Sequence, residues 1–145
     1  MKQLAQEIIK LKKETQTTIL AHYYEEGDIQ DIADYVGDSL YLAQVGQKIN
    51  TPNILLAGVF FMAESVKMLS PEKRVLVPDL SAGCSLVHHS PFEKYLEWRR
   101  EHPEAICVTY INSSAAVKSI SDIICTSSNA EKILQSIPAH RIVLF

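Results

Sequence analysis

Short apolar runs alternate with amphipathic stretches along the chain, and the alternation predicts strands and helices in turn. Over residues 3–13, Leu4, Ile8, Ile9 and Leu11 fall on one side of a helix. Thr17–Ala21 (TTILA) reads as a buried strand, Ile29–Ala33 as a short helix with Ile29, Ile32 and Ala33 inward, and Tyr35–Gly37 as a brief strand. Asp38-Ser39 supplies N-cap chemistry for a helix from Leu40 to about Ile49, which Asn50-Thr51-Pro52 stops. Ile54–Gly58 is a strand, Met62–Leu69 a helix, Arg74–Val77 a fourth strand, and Pro91–Arg100 a helix beyond a loop containing Gly83-Cys84. Continuously apolar strands, each followed by a helix, predict an α/β fold: a three-layer αβα sandwich around a small parallel sheet.

The pattern then repeats. Sliding the sequence by 88 residues sets Ile32 on Ile120, Asp34 on Asp122, Ser39 on Ser127 and Ile54 on Ile142. Apolar classes agree as well, with Leu20 on Val108, Val36 on Ile124 and Val45 on Ile133. The expected organisation is a first αβα domain over residues 1–103 and an incomplete second copy over 104–145. The second copy reaches its third strand at Arg141–Phe145 with no counterpart of the Gly83-Cys84 loop, so the repeat predicts a truncated unit. A strand ending there would otherwise leave an unpaired edge.

Composition narrows the class. The 145 residues are 47% hydrophobic and 21% charged, with 14 basic against 17 acidic side chains for a net charge of -3. These values exclude disorder and give no nucleic-acid or membrane-surface footprint. No apolar run is long enough to span a bilayer, and the charged N-terminal segment lacks the form of a secretory signal. Three cysteines without CxxC spacing argue for free thiols and a cytoplasmic protein.

Ligands of wound α/β sheets sit beyond the carboxyl ends of the strands, and the candidate chemistry collects there. His22-Tyr23-Tyr24 follows the first strand, Asp38-Ser39 the second, and Phe60-Phe61-Met62 the third. Tyr110 and Asn112 follow the first strand of the second copy, and Thr126-Ser127-Ser128 its second. His22 suits acid–base work or an anion partner, or a structural hydrogen bond. Tyr24 and Tyr110 could donate a phenolic proton or be buried with a satisfied hydroxyl. Ser39 and Ser127 read as helix N-caps, positions from which a hydroxyl also grips phosphate or carboxylate oxygens. Cys84 could be a nucleophile or metal ligand, while Cys107 and Cys125 read as small buried residues. His88 and His89 are adjacent and do not suggest one shared ion, so this chain alone does not make a four-ligand zinc site. Neither a GxGxxG nor a Walker loop occurs.

Three long stretches carry a family resemblance: ILAHYYEEGDIQDIADYVGDSLYLAQ, AGVFFMAESVKMLSPEKRVLVPDLSAGCSL and VTYINSSAAVKSISDIICTSSNA. In order from about Ile19 to the C-terminus they resemble quinolinate synthase. The resemblance implies a cytoplasmic enzyme of de novo NAD biosynthesis, a transferase that condenses iminoaspartate with dihydroxyacetone phosphate to quinolinate. It also implies a [4Fe-4S] cluster held by one cysteine from each of three similar domains, with the fourth iron acting as a Lewis acid on substrate. Cys84 matches the first cluster ligand. His22, Tyr24 and Tyr110 match positions that orient substrate and assist proton transfer, and His22, Ser39, Asn112 and Ser127 match substrate-binding positions. Met62 falls where it would wall the pocket. The remaining cluster ligands and domains are missing from this sequence or lie on another chain, so the chain alone is expected to be inactive. An iminoaspartate-producing oxidase is the expected protein partner. A non-catalytic α/β module binding a small phosphorylated or dicarboxylic ligand is the rival reading, and one subunit of a split enzyme is a third.

Overall fold

The computed structural model describes residues 2–88, 91–138 and 141–144. They fall into two compact units, Met1–Gly83 and Cys84–Phe145. The first contains α1 (Lys2–Glu14), β1 (Thr17–His22), α2 (Gly27–Ile32), β2 (Tyr35–Gly37), α3 (Ser39–Lys48), β3 (Asn53–Ala57), α4 (Phe60–Leu69) and β4 (Arg74–Leu76). The second contains α5 (Ser85–His88), α6 (Phe92–Glu101), β5 (Ile106–Tyr110), α7 (Ala115–Ser119), β6 (Ile123–Cys125), α8 (Ala130–Gln135) and β7 (Ile142–Leu144). Helix α6, which the sequence places with the first copy, packs on α7 of the second unit.

The strands are where the apolar runs place them, and every pairing is parallel. The first sheet runs β2-β1-β3-β4 and the second β6-β5-β7, with helices on both sides of the sheet. Central strands are buried because both faces are covered. Ile19, Leu20, Ile54 and Leu56 are almost wholly inaccessible, whereas the edge strands β2 and β4 stay short and partly exposed. Helices α3 and α4 pack on one another, and Leu42, Val45, Phe61 and Val66 on them are buried. Gly46 lets them approach, since a β-carbon there would lie 3.0 Å from Val66 Cγ1. The buried Lys73 ammonium donates to the Gly46 carbonyl at 2.7 Å and to that of Ile49, which caps the carboxyl end of α3 with a positive charge.

Helix α1 differs from its expected orientation. Leu4 is 61% and Leu11 56% exposed, while Ala5, Ile8 and Lys12 face inward. The reason is electrostatic. Lys12 Nζ reaches Asp34 Oδ1 at 2.8 Å and also donates to the Ile32 carbonyl, which turns the polar edge of the helix toward the sheet.

The 88-residue repeat is present bond by bond. The pairs Leu20↔Tyr35, Ala21↔Val36 and His22↔Gly37 become Val108↔Ile123, Thr109↔Ile124 and Tyr110↔Cys125. Thr18↔Ile54 through Leu20↔Leu56 likewise become Ile106↔Ile142 through Val108↔Leu144. One side-chain device recurs with them. Asp34 accepts the Ile19 N–H at 2.9 Å and is held by Lys12; Asp122 accepts the Cys107 N–H at 2.9 Å and is held by Arg99 at 3.0 Å. Each basic residue comes from the helix preceding the first strand of its unit.

Candidate functional site

In the first unit the carboxyl end of β1 delivers His22, and the chain turns at once through Tyr23 and Tyr24. The turn is anchored by the Tyr23 N–H, which donates to the Gly37 carbonyl at 3.1 Å. Three aromatic rings then crowd together. His22 stacks on Tyr23 with centroids 4.4 Å apart and lies 4.6 Å from Tyr24; the two tyrosine rings meet edge-on at 4.4 Å. His22 is buried, but Tyr24 is 80% exposed, so its hydroxyl faces outward rather than into the core. Gly58, just past β3, brings Met62 against the same spot: a β-carbon there would sit 3.5 Å from Met62 Sδ and 3.6 Å from His22 Cβ.

Ser39 is buried and lies two residues beyond Gly37, the β2 partner of His22. It is not the N-cap. Asp38 caps α3, accepting the Tyr41 N–H at 2.8 Å, and Ser39 is the first helical residue. Its hydroxyl is therefore not committed to capping the Tyr41 N–H.

In the second unit Tyr110, at the end of β5, occupies the position of His22, and Asn112 follows two residues on. Ser127 is likewise no N-cap, because α8 begins only at Ala130; its hydroxyl instead donates to Tyr110 Oη at 3.3 Å. The cap of α7 is Ser114, whose hydroxyl accepts the Val117 N–H. Tyr110 and Ser127 thus come together as a pair, as His22 and Tyr24 do in the first unit.

The thiols divide in two. Cys107 and Cys125 are buried, and burial pushes both thiols above their ordinary pKa; for Cys107 the Arg99 guanidinium works against that shift. Neither is suited to nucleophilic or ligand chemistry. Cys84 is half-buried and free at the start of the second unit, in the loop before α5. No group of three or more His, Cys, Asp or Glu converges on a metal position among the described residues, so Cys84 offers a single donor. The neighbouring His89 lies outside the described residues, as does the side chain of His88.

A hollow of about 570 Å³ opens at the opposite, amino end of the first sheet, lined by residues including Thr18, Asp34, Val45 and Lys48. Its Asp34 carboxylate is already spent on Lys12 and Ile19. The carboxyl-end cluster sets a buried imidazole, His22, beside the exposed hydroxyl of Tyr24, at the end of the sheet where ligands of such sheets bind.

Burial lowers the pKa of His22 below its ordinary 6.5, against the opposing pull of the Asp38 and Glu25 carboxylates. The unfolded chain then binds a proton that the folded chain resists. The His22 contribution is complete above pH 6.5 and declines as pH falls from there through the folded-state pKa. Urea unfolding at stepped pH between 7.5 and 5 is expected to show that decline, and His22→Gln to remove its share of the slope.

The family model described as NadA, Quinolinate synthetase A protein, matches residues 6–145. The chain belongs to the quinolinate synthase family. The quinolinate synthase of Nostoc punctiforme is 55% identical over 138 residues, covering 95% of this chain and 43% of the relative. That of Chloroherpeton thalassium is 52% identical over 142 residues, covering 98% and 44%. The Cyanophora paradoxa protein is 52% identical over 144 residues, covering 99% and 44%. The chain therefore spans less than half the length of these quinolinate synthases. Among the described residues no helix is long and apolar enough to cross a membrane.

The sequence names Tyr23 and Asp34 but assigns neither of them a role. For Asp34 the signal was present: it is one of the few identities in the 88-residue repeat, and a basic residue precedes each copy at Lys12 and Arg99. Tyr23 carried only the hint of three consecutive rings after a strand.

Proposed function

We propose that this chain forms the first αβα domain and part of the second in a cytoplasmic quinolinate synthase of de novo NAD biosynthesis. That enzyme condenses iminoaspartate with dihydroxyacetone phosphate, releasing phosphate and water. The observation that carries the reading is the 55% identity, sustained over 95% of the chain, to a relative named quinolinate synthase. The strand-end chemistry is compatible with it. His22 would orient substrate oxygens, Tyr24 and Tyr110 would orient and protonate them, and Ser39, Asn112 and Ser127 would hold phosphate or carboxylate oxygens. Because Ser127 donates to Tyr110 Oη, the phenolic proton of Tyr110 is left for a ligand.

A [4Fe-4S] cluster, when bound, would supply an open iron that polarises substrate. Cys84, a half-buried free thiol, would be one ligand, and no group of three or more His, Cys, Asp or Glu gathers among the described residues to hold the cluster. The residues present would hold one corner of such a cluster and not the whole.

The test is a chimera in which residues 1–145 replace the matching segment of the Nostoc punctiforme enzyme, purified anaerobically. Formation of quinolinate from iminoaspartate and dihydroxyacetone phosphate is the expected result. A chimera that folds, carries its cluster and makes none, while the parent does, refutes the reading in favour of a binding module.

A further inference from the structure

A neutral imidazole has one proton and two nitrogens, and the side on which the proton sits decides what the ring can do. In His22 one nitrogen is already used: the backbone N–H of Tyr24 donates to Nδ1 at 3.3 Å. An atom that accepts a hydrogen bond cannot also carry the ring proton, so the proton sits on Nε2. The ring is not free to turn over. Tyr23 lies along one face, with centroids 4.4 Å apart and planes 27° from parallel, and Tyr24 packs against the ring at 59°, its centroid 4.6 Å from His22 and 4.4 Å from Tyr23. Tyr23 is itself tied at both ends, its N–H to the Gly37 carbonyl and its hydroxyl to Tyr24 Oη at 3.3 Å. Burial keeps the ring uncharged near neutrality, with Asp38 and Glu25 as the carboxylates opposing that effect.

We infer that Tyr23 is a positioning residue that, together with the Tyr24 N–H, fixes His22 as the Nε2-protonated tautomer. His22 then meets its ligand as a hydrogen-bond donor to oxygen and not as a base. Such a donor suits a carbonyl or carboxylate oxygen on which negative charge accumulates, where a neutral imidazole polarises without transferring its proton outright. It does not suit abstraction of a proton, because the basic lone pair is turned into the backbone. The tautomer follows from the geometry alone; assigning the oxygen to a keto phosphate or an imino dicarboxylate rests on the proposed function.

Long-range proton–nitrogen correlation spectra of the ¹⁵N-labelled full chain at pH 7.5 read the tautomer directly. The His22 signal is expected to show its bonded proton on Nε2 by roughly tenfold over Nδ1, the ratio one net hydrogen bond supports. Tyr23→Phe, which keeps the stacked ring, retains that ratio. Tyr23→Leu, which keeps bulk without an aromatic face, reduces it by about threefold or more. A proton on Nδ1 in the unmodified chain overturns the tautomer, and an unchanged ratio in Tyr23→Leu overturns the role of Tyr23. Added dihydroxyacetone phosphate is expected to move the Nε2 resonance more than Nδ1. If the tautomer is as inferred and the probe moves neither nitrogen, the substrate assignment fails and the tautomer stands. If the probe moves Nδ1 alone, the donor role fails.

Discussion

Asp34→Ala is expected to lower the stability of the first unit by about 3 kcal/mol, far more than an ordinary surface substitution. The carboxylate does two things at once. It accepts the N–H of Ile19, a residue only 2% exposed, and it is the counter-ion of Lys12, whose side chain is 16% exposed. Removing it orphans the backbone donor of a buried residue, which costs about 1–3 kcal/mol. It also strands a largely enclosed ammonium on one remaining carbonyl, that of Ile32. Asp34→Asn restores the acceptor without the charge and should recover about half the loss. Asp122→Ala acts in the same direction in the second unit and by less, since Asp122 is 42% and Arg99 23% exposed. Urea unfolding followed by hydrogen exchange of the Ile19 and Cys107 amides measures both. A change below about 0.5 kcal/mol for Asp34→Ala would reduce the device to a screened surface pair.

The second large effect is catalytic. In the chimera, His22→Ala should lower kcat/KM by about 100-fold, the usual consequence of losing one preorganised donor at a developing charge. His22→Gln should fall within about tenfold of the parent, because a glutamine amide can present an N–H near the place of Nε2 but cannot act as a base. Equal losses for alanine and glutamine would show that the lone pair, not the N–H, is what the reaction uses. Steady-state kinetics at saturating dihydroxyacetone phosphate, with substrate affinity measured separately, keeps binding and chemistry apart.

Much of the scaffold was legible because its strongest signals are local. Thr17–His22 and Asn53–Ala57 are apolar runs of strand length, and burial on both faces is the state in which such runs are stable. The repeat was legible because strand register is set by the same apolar positions in both copies. Helix α1 was misread because a hydrophobic pattern treats every lysine as an outward residue, and Lys12 points inward to a carboxylate 22 positions away. The caps were misread for a smaller reason. Asp38 and Ser39 are both good capping residues, and only the backbone decides which stands outside the helix. At the site, His22, Tyr24, Tyr110 and Ser127 were legible from their places at strand ends. The pairing of Ser127 with Tyr110 was not, since they stand 17 positions apart and the segment between them must fold first.

The two copies share their scaffold bonds but not their fittings. Among the described residues the strand pairings and the bonds of Asp34 and Asp122 to the main chain recur at a spacing of 88. The side chains seated at the strand ends take no part: the same seat holds an imidazole in one copy, at His22, and a phenol in the other, at Tyr110. A duplicated frame of this kind separates two kinds of mutational burden. Changes to the frame are penalised through folding, in the same direction in both copies, while changes to a seat are penalised through chemistry, in one copy at a time. Each seat can therefore be retuned without renegotiating the fold beneath it.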